Sequence, residues 1–476
     1  MDKNTPFHLF VLTVCIGLIA PLAVQDGMFM DGQIYAAVSH NLANGHGSFW
    51  FPTFSKFFMT DYSEQLPLFF GVQAIFFKIL GDSIYTERIF SLIMALITGW
   101  NIVLIWRLIY HNESDSKNRT WLPLFFWIMI PVISWSYIHN VEEMLMSVFA
   151  TASVYFILKG LITEKNLLPN IIIGGIFLFL TSFCKGFQGL FPLVTIVFYA
   201  LFFKTISFKK ALGYSVVLGL VPFIIYALLL WNDTSYLSIE NYFNNRIVRT
   251  FTKSYSATTT NHFSLLNQIF EQLIPVFIIL ALSFAILKWK IKNSRLSIDW
   301  KRFGFFLSLG LAGSLPLMIT LEQRGFYLTT SFPFTAIAFA CMGENMLHPV
   351  LDRINPNGKG FRIFNAVSII GLVGVIILTG LSIGKSKRNQ DELHDVYLIG
   401  ANVPENSNFS IPNSLKGNYG LQAYFIRHFY ISLDPDTANL HTYFLTLKGS
   451  NTQIPAGFLP VELDFKTYQL YQRNEP

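Results

Sequence analysis

"LLPNIIIGGIFLFLTSFCKGFQGLFPLVTIVFYALFF", residues 167–203, contains a single charged side chain, Lys185. An α-helix rises about 1.5 Å per residue, so crossing a hydrocarbon core about 30 Å thick takes roughly 20 residues. The stretch is long enough for two crossings, near 167–183 and 186–203, with the lysine at the turn between them. Similar apolar runs recur near residues 8–25, 88–106, 121–138, 141–158, 211–231, 267–287, 303–320, 326–347 and 363–384. A further run, 66–80, is short for a span and reads as re-entrant or interfacial. The expectation is an α-helical polytopic membrane protein with about 11 to 13 transmembrane helices. Composition agrees: 52% of the 476 residues are hydrophobic and 13% charged, too few polar groups to cover a soluble chain of this length.

Orientation follows from the basic residues. Lys288, Lys290, Lys292, Arg295, Lys301 and Arg302 face one acid, Asp299, across a single loop, and Lys204, Lys209 and Lys210 populate another. Positive loops stay on the cytoplasmic side. Counting outward from them puts residues 232–266, the Glu322–Gly325 turn and everything past 384 on the opposite side. The first loop, 26–65, carries Asp26, Asp31, Asp61 and Glu64 against Lys56 alone, and belongs outside as well. Residues 7–25 follow Lys3 as a secretory leader would, but no small-x-small cleavage site follows them and many spans do, so a membrane helix is expected. The three cysteines, Cys15, Cys184 and Cys341, all lie in or beside apolar runs and offer no disulfide framework.

After residue 384 short apolar runs alternate with Pro, Asn and Gly turns, and a helical pattern runs from Tyr419 to Tyr430. The expected organisation is a transmembrane module, 1–388, with outer loops 26–65 and 232–266, and a small extracytoplasmic α/β domain, 389–476.

The polar residues gather on one side. Asp31, Glu64, Glu87, Arg88, Glu142, Glu143, Lys185, Arg246, Arg249, His262, Glu322 and Arg324 all fall at or near the outer ends of spans. A transporter or pump needs charges inside its spans, whereas charges at one interface suit a ligand that is half lipid. Taken singly, each residue has an ordinary explanation. Asp31 in "MDGQIYAAVSHNLANGHGSFW" (30–50) fits a helix N-cap as well as a functional acid sharing a face with Tyr35. Glu142 and Glu143 fit a helix start, Lys185 fits a snorkelling cation, and Arg246, Arg249 and His262 fit a solvated loop.

Their order along the chain is more specific. An acid early in the first outer loop is followed by "YSEQLPLFFGVQAIFFKILGDSIYTERIFSL" (62–92), "NVEEMLM" (140–146), "CKGFQGLF" (184–191), a basic loop ending in His262, and "RGFYLTTSFPFTAIAFA" (324–340). This order resembles the C superfamily of membrane glycosyltransferases over nearly the whole chain at low identity, in particular the branch of lipid A aminoarabinose transferases and protein O-mannosyltransferases. The resemblance implies Asp31 as the catalytic aspartate, with Tyr35 following it. It places the family's Glu-Lys-Pro-Pro-Leu stretch on Glu64, Pro67 and Leu68, its helix-opening arginine on Arg88 and its outer acid on Glu142. Its Lys-Gly pair falls on Lys185 and Gly186, and its late Lys-to-Tyr element on Arg324 and Tyr327. Two positions depart from the pattern. The family often has an acid where this chain has Gly32, and a lysine where it has Gln65, so that phosphate contact is either missing or supplied by Lys185, Arg246 or Arg249.

The function so implied is inverting transfer of a sugar from a polyprenyl-phosphate donor to a hydroxyl of an envelope acceptor (a lipid A-like lipid, a protein or a glycan), with the active site on the outer face of the plasma (inner) membrane. Asp31 would be the base. Partners would be the lipid-linked donor, the acceptor and membrane lipids, without nucleic acid. No cofactor is required and no compact metal-ligand cluster is evident, although Glu64 with His394 offers a divalent ion a minimal structural site. Two other readings use related substrates: a flippase or transporter for polyprenyl-linked glycans, which needs a polar path across the bilayer, and a ligase, which would lack the early aspartate.

Overall fold

The structure, a computed structural model, describes residues 3–252, 257–291, 298–436 and 438–474. Lys292 and Arg295 of the basic loop and residues 253–256 of the second outer loop lie outside the described residues. Among the described residues, eight helices are long and apolar enough to cross a membrane, or nine if one bent pair counts as a span. The protein is therefore a helical polytopic membrane protein carrying a small C-terminal sheet.

The smaller number of long helices has physical causes. Residues 167–203 are one apolar run by length but two by path. The helix Leu167–Lys185 ends at Gly186, whose φ of +72° few other residues adopt, and a 3-10 turn (Gly186–Val194) leads into the helix Thr195–Phe203. A Cβ on Gly189 would overlap the carbonyl oxygen of Thr181, two turns back, so the chain folds back there, although the eight candidate spans count these 37 residues as one. Residues 121–138 instead break into Trp121–Ile128 and Pro131–Ile138, bent by 78°. Pro131 has no N–H to continue the first helix and disfavours helical geometry in the residue before it. The expected span 326–347 opens as a 3-10 turn, Gly325–Thr330, before the helix Phe332–Leu351. The segment 66–80 forms the helix Leu68–Leu80, whose 13 residues are too few to cross.

The chain divides into two compact units. The first comprises residues 1–22, 91–138 and 142–382; the second comprises 23–90, 139–141 and 383–476. In the first unit, polar caps mark helix starts. Ser207 accepts from the Lys210 N–H, and Asp299 accepts from the N–H groups of Lys301 and Arg302, each at 3.1 Å.

The second unit contains the helices Met30–Ala43 and Leu68–Leu80 and a five-stranded mixed sheet. Its strands are β1 (Asn408–Ser410), β2 (Ser432–Asp434), β3 (Tyr443–Leu447), β4 (Phe458–Pro460) and β5 (Tyr468–Arg473), in the order β2-β1-β3-β5-β4. β1 runs parallel to β2 and β3, and β5 runs antiparallel to β3 and β4. Val396, Ile399, Phe409, Phe425, Leu433 and Leu445 form its core. The helix Tyr419–Phe429 packs on Met30–Ala43, so residues of the first outer loop and of the C-terminal segment share one body. Buried Arg427 is central to that packing. Its guanidinium donates to Asp82 at 2.5 Å, the Ser83 carbonyl at 2.8 Å and Glu87 at 2.9 Å, and His40 meets Asp82 at 2.9 Å. Partial burial alone would raise the Asp82 pKa, but the His40 hydrogen bond and the Arg427 charge outweigh it and hold the group at about 2.

Candidate active site

In the first unit, Lys185 is the last residue of its helix, and the turn at Gly186 aims its ammonium inward rather than along the chain toward solvent. It does not snorkel. The side chain is buried, Nζ donates to Glu143, Glu142 lies at 4.0 Å, and the Tyr327 ring centre is 4.3 Å away. Glu142 holds the N-cap position of the helix Glu143–Thr163 without making a side-chain cap bond, and Glu143 follows in the first turn. Both are fully buried.

A second cation completes the group. Arg246 lies in a π-helical turn, Phe243–Val248, and donates to Glu322 at 2.8 Å and to the Tyr327 hydroxyl at 3.3 Å. The Tyr327 hydroxyl itself donates to Glu322 at 2.9 Å. Lys185, Tyr242, Arg246, Glu322 and Tyr327 line the polar part of a cavity of about 450 Å³, and Phe187, Phe191, Val194, Leu317 and Ile319 line the rest. Two cations, two phenols and an apolar wall in one cavity, with Glu322 paired to Arg246, suit an anionic head attached to a hydrocarbon chain. Arg249, His262 and Arg324 are outside this lining. Arg249 is exposed, and His262 Nδ1 lies 2.7 Å from the Met318 carbonyl.

In the second unit, Asp31 is half-buried in the first turn of Met30–Ala43. The N-cap position is Phe29, whose side chain makes no cap bond, and Asp31 follows in the first turn. A carboxylate in a first turn is favoured by the helix dipole in any case. One turn on, the Tyr35 hydroxyl lies 3.4 Å from the Gln65 amide nitrogen, next in sequence to Glu64, and the Tyr35 ring meets Phe69 and Phe70 edge-on. The helix face bearing Asp31 and the "EQLPL" stretch therefore share one neighbourhood. Arg88 is buried and donates to the carbonyls of Gln25 at 3.3 Å and Gly27 at 2.8 Å, which braces the segment leading into that helix. His394 Nδ1 lies 3.2 Å from Asp395, and among the described residues no group of three or more His, Cys, Asp or Glu gathers as a metal site.

Three polar residues of these sites escaped sequence reasoning. Tyr242 lines the cavity, Gln188 donates to the Tyr327 carbonyl at 2.7 Å, and Asn140 donates to the Gly32 carbonyl at 3.0 Å. Uncharged side chains in an apolar chain give no alarm. Only Asn140 had a local signal, since Asn before a run that opens a helix is a favoured left-handed residue.

No family model and no curated protein matches the chain. Solved structures do. It is similar to ArnT, the lipid A aminoarabinose transferase of Cupriavidus metallidurans, bound to undecaprenyl phosphate, at 12% identity over 97% of both chains with a TM-score of 0.63. The apo form of that protein gives 13% identity over the same share and the same TM-score. It is similar also to the archaeal oligosaccharyltransferase AglB of Archaeoglobus fulgidus, in complex with an inhibitory peptide and a dolichol-phosphate. That likeness has 12% identity and a TM-score of 0.56 and covers 94% of this chain and 69% of the other. The resemblance read from motif order thus holds at the level of the fold.

Proposed function

We propose that the protein is an inverting glycosyltransferase that moves a sugar from a polyprenyl-phosphate donor to a hydroxyl of an envelope acceptor at the outer face of the plasma membrane. The observation that carries this reading is one cavity lined both by Lys185, Arg246 and Tyr327 and by apolar side chains. A lipid-linked donor keeps its chain among hydrocarbon and its phosphate at the interface, and such a cavity matches both parts. Two proteins of similar fold bind undecaprenyl phosphate and a dolichol-phosphate, which supports the same donor class.

In this mechanism the acceptor hydroxyl attacks the anomeric carbon while Asp31 takes its proton. The bond from that carbon to the phosphate oxygen breaks in the same displacement, and the anomeric centre inverts. Charge developing on the leaving phosphate meets Lys185 and Arg246 in a poorly hydrated site, where fixed cations act most strongly. Before donor arrives, Glu143 and Glu322 keep both cations extended into the cavity. Tyr35 and Glu64 complete the surroundings of Asp31, and Arg88 braces them.

Mass analysis of envelope lipids, proteins and glycans from cells with and without the gene tests this reading. It predicts loss of one sugar mass from one acceptor class and accumulation of the lipid-linked donor. Envelopes identical in both would overturn it.

A further inference from the structure

We propose that Asn140 and His139, the latter through its ring and its carbonyl, are the positioning device for Asp31, holding the first turn of Met30–Ala43 at three points. This rests on the reading of Asp31 as the base.

The three points bracket the aspartate. On one side, the Phe29 N–H, a helix-end donor with no partner inside its own helix, donates to His139 Nδ1 at 3.2 Å. On the other, the Asn140 amide donates to the Gly32 carbonyl at 3.0 Å. Between them the His139 carbonyl lies so close to the Gly32 Cα that a Cβ there would overlap it. Gly32 is therefore the only residue that admits this contact, and the acid expected next to the catalytic aspartate is excluded by shape.

The clamp is itself held from behind. Gln73, fully buried in the helix Leu68–Leu80, donates to Asn140 Oδ1 at 2.6 Å, so both ends of the Asn140 amide are engaged. Asn140 is fully buried with a φ of +53°, a conformation that Asn tolerates better than most residues. His139 can accept from Phe29 only while Nδ1 is unprotonated. Burial, with help from the Arg88 and Arg388 charges, lowers its pKa to about 3 and keeps it neutral at physiological pH. A buried amide that served only its own loop would not need to reach the carbonyl next to the base.

The test uses the full-length protein carrying Asn140→Gly, Asp31→Asn, or both. Glycine keeps the left-handed backbone while removing both amide contacts. Product formation is followed in membranes from a gene-deleted strain, which supply their own donor and acceptor, and binding is measured with undecaprenyl phosphate as probe. The expected result for Asn140→Gly is a rate lowered about 10- to 100-fold, the scale of a base displaced by about an ångström, with probe affinity unchanged. The double variant is then no slower than Asp31→Asn alone, because Asn140 acts only through Asp31. A near-normal rate for Asn140→Gly, or a double variant slowed by the full Asn140 factor again, overturns the positioning role and leaves the base assignment standing. An active Asp31→Asn overturns the base assignment, and the positioning role with it. If Asn140→Gly does not accumulate in the membrane, Asn140→Asp serves, since it keeps an acceptor for Gln73 and loses the donor to Gly32.

Discussion

Lys185 shows how far a single residue can be read from sequence. Its isolation between two apolar runs marks it as unusual, but snorkelling and phosphate binding predict the same sequence. The geometry speaks against snorkelling, because the ammonium is buried against Glu143 and faces Tyr327, and phosphate binding is the role proposed for it. The pairing changes what a substitution should do. Lys185→Met leaves Glu143 buried without its cation, and breaking such a pair costs about 3–5 kcal/mol. The single variant should therefore unfold at a lower temperature, and Lys185→Met with Glu143→Gln should recover most of that loss. Neither should bind undecaprenyl phosphate well; losing one charge-assisted contact corresponds to a drop of about tenfold or more. Thermal unfolding in detergent and titration with undecaprenyl phosphate separate the two effects. Normal affinity in the double variant would remove Lys185 from donor recognition.

Among the elements, the reversal at Gly186 positions both Lys185 and the apolar wall. It depends on close approach of the 3-10 turn to the preceding helix at Gly189. Gly189→Ala should destabilise the protein by about 1–3 kcal/mol, the usual cost of overpacking, and lower undecaprenyl phosphate affinity as the wall shifts. Gly213, in the helix Phe208–Leu230, has no atom within 4 Å of a Cβ placed on it, and Gly213→Ala should be neutral or stabilising by roughly 0.4–1 kcal/mol. Equal thermal stability of the two variants would show that the close approach does not constrain the turn. Elements like this mark the limit of what the sequence carries. Hydropathy located the apolar runs because the bilayer imposes length and polarity on each one. It did not reveal that 121–138 bends by 78° or that 325–330 is a 3-10 turn, since the bilayer imposes no such shape. The order of polar motifs carried the fold, and it singled out Asp31, Tyr35 and Lys185 as the residues on which the proposed function rests. Asn140 and Tyr242 were not legible, because their importance comes from distant neighbours and not from charge or spacing.

For the molecule as a whole, the proposed chemistry requires the two sites to open on the same side of the membrane. The distribution of Lys and Arg predicts this, with the 204–210 and 288–302 loops inside and the 26–65, 232–266 and C-terminal segments outside. Single cysteines at Ser48, Asn261 and Glu405, all exposed, should react with a membrane-impermeant maleimide in intact cells, with any outer membrane permeabilised. A cysteine at exposed Thr205 should react only after lysis. Labelling of Thr205→Cys from outside would place the sites on the wrong face for an envelope acceptor. The measurement closest to the central claim is turnover of the lipid-linked donor itself. Membranes of a gene-deleted strain receive purified wild-type protein or Asp31→Asn, and the lipid fraction and acceptor fractions are weighed together by mass spectrometry. The account predicts that wild type releases polyprenyl phosphate as one acceptor gains one sugar of inverted configuration, and that Asp31→Asn slows both by about 10²- to 10⁴-fold, the span of general-base catalysis. Equal release by the two proteins, or a sugar gained with retained configuration, would contradict it.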